Sequence, residues 1–302
     1  MTKVDASIYT IPTNSAVGEV AVNANKRSHI FQKLMQNKTA RNSLFFLSLV
    51  ILVGVLGPLF APYNPTEPKY DALLQGPSAA HWLGTDSLGR DLLSRLIYGS
   101  RVTLIVGLVS VLITTVIGTF IGLVSAYFGG LVDAILMRIM DVLLALPSII
   151  MALAIVAILG PSLTNAIIAI GISSIPSFSR IVRGAALSVK SSGYVEASRA
   201  LGSSNGWILR NQILPNIMST LVVFTTLLAG IAILEMAALG FVGLGAQPPT
   251  PEWGTMLNEG KQYIYNAWWL ITFPGIAIIM VVYALNKLGD ALRDIFDPKS
   301  SN

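Results

Sequence analysis

The chain has 302 residues, 53% of them hydrophobic and 12% charged, with a mean hydropathy of +0.68 and a formal net charge of +5. Soluble domains carry roughly 25% charged residues, so this composition excludes a single soluble core and makes lipid the main solvent for several long apolar runs. Lack of cysteine excludes disulfides, thiolate catalysis and cysteine metal sites, and only His29 and His81 supply imidazole; the positive charge, lying beside apolar runs, serves topology rather than nucleic-acid binding.

Residues 1–42 are polar, with Lys3, Lys26, Arg27, Lys33 and Lys38 ahead of the first apolar run. A cleaved signal peptide would begin its apolar run far earlier, so this stretch reads as a tail and the first span as an uncleaved insertion signal. About six spans are expected, at 44–61, 102–127, 134–159, 165–181, 217–245 and 268–288, which makes the chain an all-α integral membrane protein. Pro58 and Pro62 mark the exit of the first span. In the second, Gly118 and Gly122 form a small-residue step that admits a neighbouring helix, and the turn Gly160, Pro161, Ser162 joins the third to the fourth. Thus 43–100 holds the first span and an external segment, 101–290 the remaining spans with a loop at 182–216, and 291–302 a second tail.

If the tail is cytoplasmic, only Lys69, Arg90, Arg95, Arg101 and Lys261 of the 20 basic residues fall outside. The positive-inside rule therefore places both termini in the cytoplasm. Asp86 and Asp91 are expected to neutralise Arg90, Arg95 and Arg101 locally. Trp253, Trp268 and Trp269 lie near outer span ends, where amphipathic rings favour the membrane interface.

The loop at 182–216 is the largest cytoplasmic segment between spans. Gly193 to Leu201 reads as a short helix with Ser191 or Ser192 as N-cap and Gly202 closing its C-terminus. Ser203, Ser204 and Asn205 can cap a second helix, Gly206 to Leu214, stopped by Pro215. Tyr194, Ser198 and Leu201 would share one face, with Trp207, Ile208 and Leu209 nearby. Such an apolar edge suits a partner protein, or alternatively a helix pair lying on lipid headgroups.

Glu196, Ala197, Ser198, then Gly202, Leu214 and Pro215 resemble the EAA loop of binding-protein-dependent ABC transporter permeases. The pattern is Glu-Ala-Ala, three residues, Gly, nine residues, Ile, any residue, Leu-Pro, and this chain departs from it at Ser198 and Gln212. Four further stretches, 84–101, 127–148, 238–259 and 288–299, resemble the C-type permeases of dipeptide, oligopeptide and glutathione importers, so the likeness covers roughly Leu44 to Lys299. It implies a type I ABC importer permease fold in the cell inner membrane. It also implies two ATPase subunits, a homologous second permease and an extracytoplasmic solute-binding protein. The EAA loop would then dock on an ATPase subunit through Glu196, Ala197 and Gly202. The outer segments 63–100 and 247–267 would form a roof for the solute-binding protein; read locally, Gln247 to Pro251 is a stiff corner.

The chain itself shows no ATPase cradle. Gly254 to Lys261 comes nearest, but five residues separate its glycines and Gln262 stands where a hydroxyl is required. Gly254 and Gly260 therefore read as loop residues, and no catalytic residue, cofactor or metal site is assigned. ATP is expected to be used by partner subunits. An acid in mid-span costs roughly 2.5 to 3.5 kcal/mol on insertion scales, which singles out Glu235. It either faces the pore or makes a structural hydrogen bond to a neighbouring helix. Asp141 and Arg138, three apart, are expected to pair with each other or with the membrane surface. Within the family, glutathione or nickel is the alternative solute. A different class, an ion-coupled secondary transporter, would use Glu235 and Asp141 as coupling acids, but no repeat of the kind such proteins carry is visible.

Overall fold

A computed structural model describes residues 34–296. Most of the proposed N-terminal tail, with His29, and residues 297–302 lie outside the described residues. Among the described residues the protein is helical throughout, apart from turns and one isolated bridge between Thr85 and Asp91. Five helices are long and apolar enough to cross a membrane, or six if one bent pair is a single span.

Helix α1 (Lys38–Phe60) starts at Asn37, whose side-chain oxygen accepts from the amides of Thr39 and Ala40 at 3.0 and 3.2 Å. It packs on α2 (Leu92–Phe128) and on the last helix, with Gly57 against Ile97. The α2 helix begins ten residues before the expected span at 102. Asp91 caps it, accepting from the Ser94 amide at 2.8 Å. Its 37 residues extend roughly 55 Å, well beyond a bilayer core of about 30 Å. The polar residues that end the apolar run, Ser94 and Arg95, are buried against neighbouring segments rather than ending the helix.

The expected span at 134–159 is instead two helices, α3 (Gly130–Leu144) and α4 (Ser148–Leu159), meeting at 86°. Pro147 explains the break: it has no amide to donate and its ring clashes with a preceding turn. The next span is also jointed, at Ser174, between α5 (Leu163–Ser173) and α6 (Ile175–Lys190), with Pro176 in the first turn of α6 where its missing donor costs little. The α6 helix runs nine residues past the expected end at 181. It crosses α2 at the Gly118–Gly122 step, where a β-carbon on Gly122 would lie 2.6 Å from the Ser179 carbonyl oxygen.

After α6 come α7 (Gly193–Ala200) and α8 (Asn205–Ile208), a π-helical turn (Leu209–Ile213), and α9 (Leu214–Val242). Then follow α10 (Trp253–Gly260) and α11 (Trp269–Phe296). Gly254 and Gly260 are thus helical, not loop, residues, and Gly254 lets α10 lie on Ala237 of α9.

One core joins α2, α4, α5, α6 and α9 around Val106, Ile170, Phe178 and Met236; another joins α1, α2, α10 and α11 around Leu92, Ile278 and Val281. The segment before α2 is fastened to α10 by ion pairs. Glu259 accepts from Arg90 at 2.9 Å and Arg95 at 2.8 Å, Arg90 also meets Asp86 at 2.7 Å, and His81 meets Asp91 at 2.8 Å. Arg101 does not take part in this neutralisation. Of the three tryptophans expected at the interface, only Trp268 is exposed. Trp253 and Trp269 are buried, donating to the carbonyls of Leu96 at 3.0 Å and Thr85 at 3.1 Å.

Candidate coupling loop and intramembrane polar sites

The stretch between α6 and α9 folds as a small unit with its own core. Val195, Ile208 and Ile213 are buried together with Ala126 and Tyr127 from the end of α2 and Ala186 of α6. Glu196 lies in the first turn of α7, where the helix dipole favours an acid. Ser192 occupies the N-cap position without capping; its hydroxyl donates to the Val189 carbonyl instead. Gly202 has φ +81° with no atom within 4 Å of a would-be β-carbon, so backbone conformation alone calls for glycine there. Ser204 caps α8 at the Trp207 amide, 3.4 Å away.

The second helix differs from the expected 206–214. It has a single α turn, and the π turn then delivers the chain into α9 without a break. Pro215 therefore stops nothing and sits in the first turn of the membrane helix. Tyr194, Leu201 and Trp207 are exposed, Leu201 at 87%. Ile208 is buried beneath them, and Ser198 turns inward to accept a hydrogen bond from the Gln212 side-chain amide. Glu196, Ala197, Gly202 and Pro215 are exposed, while Leu214 is half-buried.

Tyr127 joins this unit to the spans. Its hydroxyl donates to Asn205 Oδ1 at 2.7 Å, and its ring has Arg199 5.4 Å and Lys190 6.0 Å from the centroid. Lys190 also donates to the Ala126 carbonyl at 2.9 Å. The sequence signal was slight: an aromatic pair, Tyr127 and Phe128, before Gly129 and Gly130.

Glu235 is buried in α9 and accepts from Ser148 Oγ at 2.6 Å, the first residue of α4 after the Pro147 break. Its other carboxylate oxygen is buried without a partner. Glu235 thus links α9 to α4. Asp141 does not pair with Arg138; it pairs across helices with Arg180 of α6. No group of three or more metal-ligating residues occurs among the described residues. The loop, Glu235 and Asp141 are separate sites, not one constellation.

Residues 115–302 match the family described as "Binding-protein-dependent transport system inner membrane component", and residues 28–77 match "N-terminal TM domain of oligopeptide transport permease C". The chain is 51% identical over 277 residues to the "Dipeptide transport system permease protein DppC" of Escherichia coli K12, covering 90% of this chain and 91% of that protein. It is 46% identical over 278 residues to the "Di/tripeptide transport system permease protein DppC" of Pseudomonas aeruginosa, covering 90% and 92%. Identity is also 46%, over 270 residues and 89% of each chain, with the "Glutathione transport system permease protein GsiD" of Shigella flexneri. Among solved structures, an inward-facing MetNI methionine ABC transporter matches with a TM-score of 0.56 at 25% identity, over 68% of this chain and 98% of that one.

Proposed function

Because the chain belongs to the inner membrane components of binding-protein-dependent transport systems, with the fold of a type I ABC importer permease, we propose that it carries dipeptides or short oligopeptides. It forms half of a translocation pore, completed by a homologous second permease. Two ATPase subunits hydrolyse ATP for it, and a solute-binding protein delivers peptide to the roof made by residues 63–91 and α10. Both termini are cytoplasmic.

The observation that carries this reading is the seating of the α7–α8 unit. Exposed Tyr194, Leu201 and Trp207 stand on a core that is continuous with α2 and α6. Only Ser191 and Ser192 separate α6 from α7, and the π turn runs directly into α9. A push on this unit therefore enters three membrane helices with no slack linker to absorb it. Glu196, Ala197, Ser198 and Gly202 belong to the docking loop, with Leu214 and Pro215 at its junction to α9. ATP binding in the partners would bias the two states of the pore through it.

A lipid-lying helix pair fits less well, because the inward apolar residues are already used against α2 and α6. Peptide as solute is supported by the relatives named for dipeptides and di/tripeptides, and the glutathione relative makes that modified tripeptide the competing solute. Uptake of a labelled dipeptide and of labelled glutathione into proteoliposomes bearing the whole complex, with ATP inside, tests the assignment. Dipeptide uptake that needs ATP and the binding protein is expected; ATP-independent uptake by this chain alone would refute it.

A further inference from the structure

Helix α1 is the most sparsely packed of the long apolar helices: only 17% of its most apolar stretch is buried, against 33% or more in the other four. Between α1, α2 and α11 lies a groove of about 540 Å³, lined by Leu49, Val53 and Leu56 of α1, Leu93 and Ile97 of α2 and Met280 of α11. Ser100 and Trp253 are the only lining residues with polar side-chain atoms, and both are satisfied internally. The Ser100 hydroxyl donates to the Ile97 carbonyl at 2.6 Å, and the Trp253 indole to the Leu96 carbonyl at 3.0 Å. The groove therefore offers water or a polar solute no hydrogen bond, and only hydrocarbon suits it.

Its shape decides which hydrocarbon. From Phe46 to Phe60 the groove follows α1 for roughly 21 Å, enough to cross half of a bilayer core about 30 Å thick. Spread over that length, its volume gives a width of roughly 6 Å, whereas a helix with its side chains measures about 10 to 12 Å across. A single hydrocarbon chain, whose carbons approach their neighbours to about 3.5 to 4.0 Å, fits. Past the Phe60 end comes Tyr63, whose amide donates to Ser94 Oγ at 3.1 Å, beside Leu93 of the groove. Lys69 Nζ lies 4.3 Å from the centroid of the Tyr63 ring, and no carboxylate pairs with it among the described residues.

We propose that this groove is a phospholipid site: one acyl chain lies along α1 between α2 and α11, and the lipid phosphate meets the Lys69 ammonium at the Phe60 end. The acyl chain supplies the dispersion contacts that α1 lacks, and the phosphate gives Lys69 its counter-charge. The lipid belongs to the leaflet beside residues 63–91. It is a structural ligand that seals α1 to the bundle, and its binding depends on no transported solute.

The test uses the whole complex in dodecyl maltoside micelles, where the detergent competes for the groove but brings no phosphate. A phosphatidylethanolamine with a diazirine in one acyl chain is added, irradiated, and the labelled residues are read by peptide mass spectrometry. Label is expected on Leu49, Val53, Leu56 and Met280, and far less on Val55 and Leu59, which are exposed on α1 at 65% and 79% but lie outside the groove. Lys69→Glu should lower groove labelling about tenfold, the worth of one charge-assisted bond. A diacylglycerol with the same photoreactive chain and no phosphate should label weakly, and equally in wild type and Lys69→Glu. Label spread evenly over groove and outward faces would mean boundary lipid only and overturn the proposal, as would equal labelling by the two lipids. An unlabelled groove whose Leu49→Cys cross-links to the second permease would overturn it in favour of a protein occupant. The wild-type pattern decides between these outcomes without relying on any variant to assemble.

Discussion

The side-chain amide of Gln212 donates to the hydroxyl of Ser198, so the two positions at which the stretch from Glu196 to Pro215 departs from the EAA pattern are partners of each other. Where the pattern has Ala and Ile, this chain has Ser198 and Gln212, joined by one polar contact between the start of the loop and the π turn. The amide oxygen of Gln212 is buried without a partner, so loss of Ser198 would leave the side chain with neither of its polar groups bonded within the loop. Ser198→Ala is expected to cost about 1 to 3 kcal/mol in stability of the assembled complex, and the double change Ser198→Ala with Gln212→Ile to restore most of it. Thermal unfolding of the complex for both singles and the double checks this.

Tyr127 ties the end of α2 to the loop in two ways, through its hydroxyl on Asn205 and through a ring near Arg199 and Lys190. Tyr127→Phe keeps the ring and loses one hydrogen bond, worth about 1 kcal/mol. Tyr127→Ala removes both and opens the loop's core. The phenylalanine variant should keep most of the wild-type ratio of peptide moved to ATP hydrolysed, and the alanine variant should lose it while the ATPases remain active. Paired uptake and phosphate-release measurements give the ratio.

Gly202 needs its left-handed backbone and has free space around it. Gly202→Ala should weaken coupling by straining the turn by about 1 kcal/mol, and Gly202→Asn should do less harm because asparagine tolerates that conformation. Equal loss in both would mean that a partner subunit packs against this glycine. Uptake rates for the two variants at equal assembly separate the cases.

Glu252 caps α10 from a buried position, accepting from the amides of Gly254 and Thr255 at 2.9 and 2.8 Å. Burial pushes its carboxyl above the ordinary value of 4.5, against the pull of those amides. A raised folded value means the folded chain holds a proton at Glu252 that the unfolded chain releases, so stability falls as pH rises from about 4.5 to that raised value and is level above it. Hydrogen exchange in α10 should accelerate over that window beyond its intrinsic pH dependence. Glu252→Gln should remove the excess.

Much of this architecture was legible because hydropathy and charge act over whole spans. The features that were not legible depend on single residues set against an apolar background. Pro147 lies in a run long enough for one tilted span, so length alone concealed the 86° break. The early start of α2 was hidden because Ser94 and Arg95 look like surface residues until Glu259, 164 positions away, is seen to meet Arg95. Trp253 and Trp269 read as interface anchors by type, yet each has a carbonyl to bond and a core to fill. At the loop, resemblance to the EAA pattern picked out Glu196, Gly202 and Pro215. It could not show that Pro215 begins α9, since proline is compatible with both the end of one helix and the first turn of the next.

The most direct test of the docking account is Glu196→Lys in the complete complex in lipid, measured as peptide uptake and ATP hydrolysis after equal assembly is confirmed. The account predicts that the charge reversal uncouples the two, or abolishes both, while expression and membrane insertion of the chain are unchanged. If Glu196→Lys changes neither, and the purified chain alone moves peptide down an ion gradient, the docking account is wrong and the protein works as a secondary transporter.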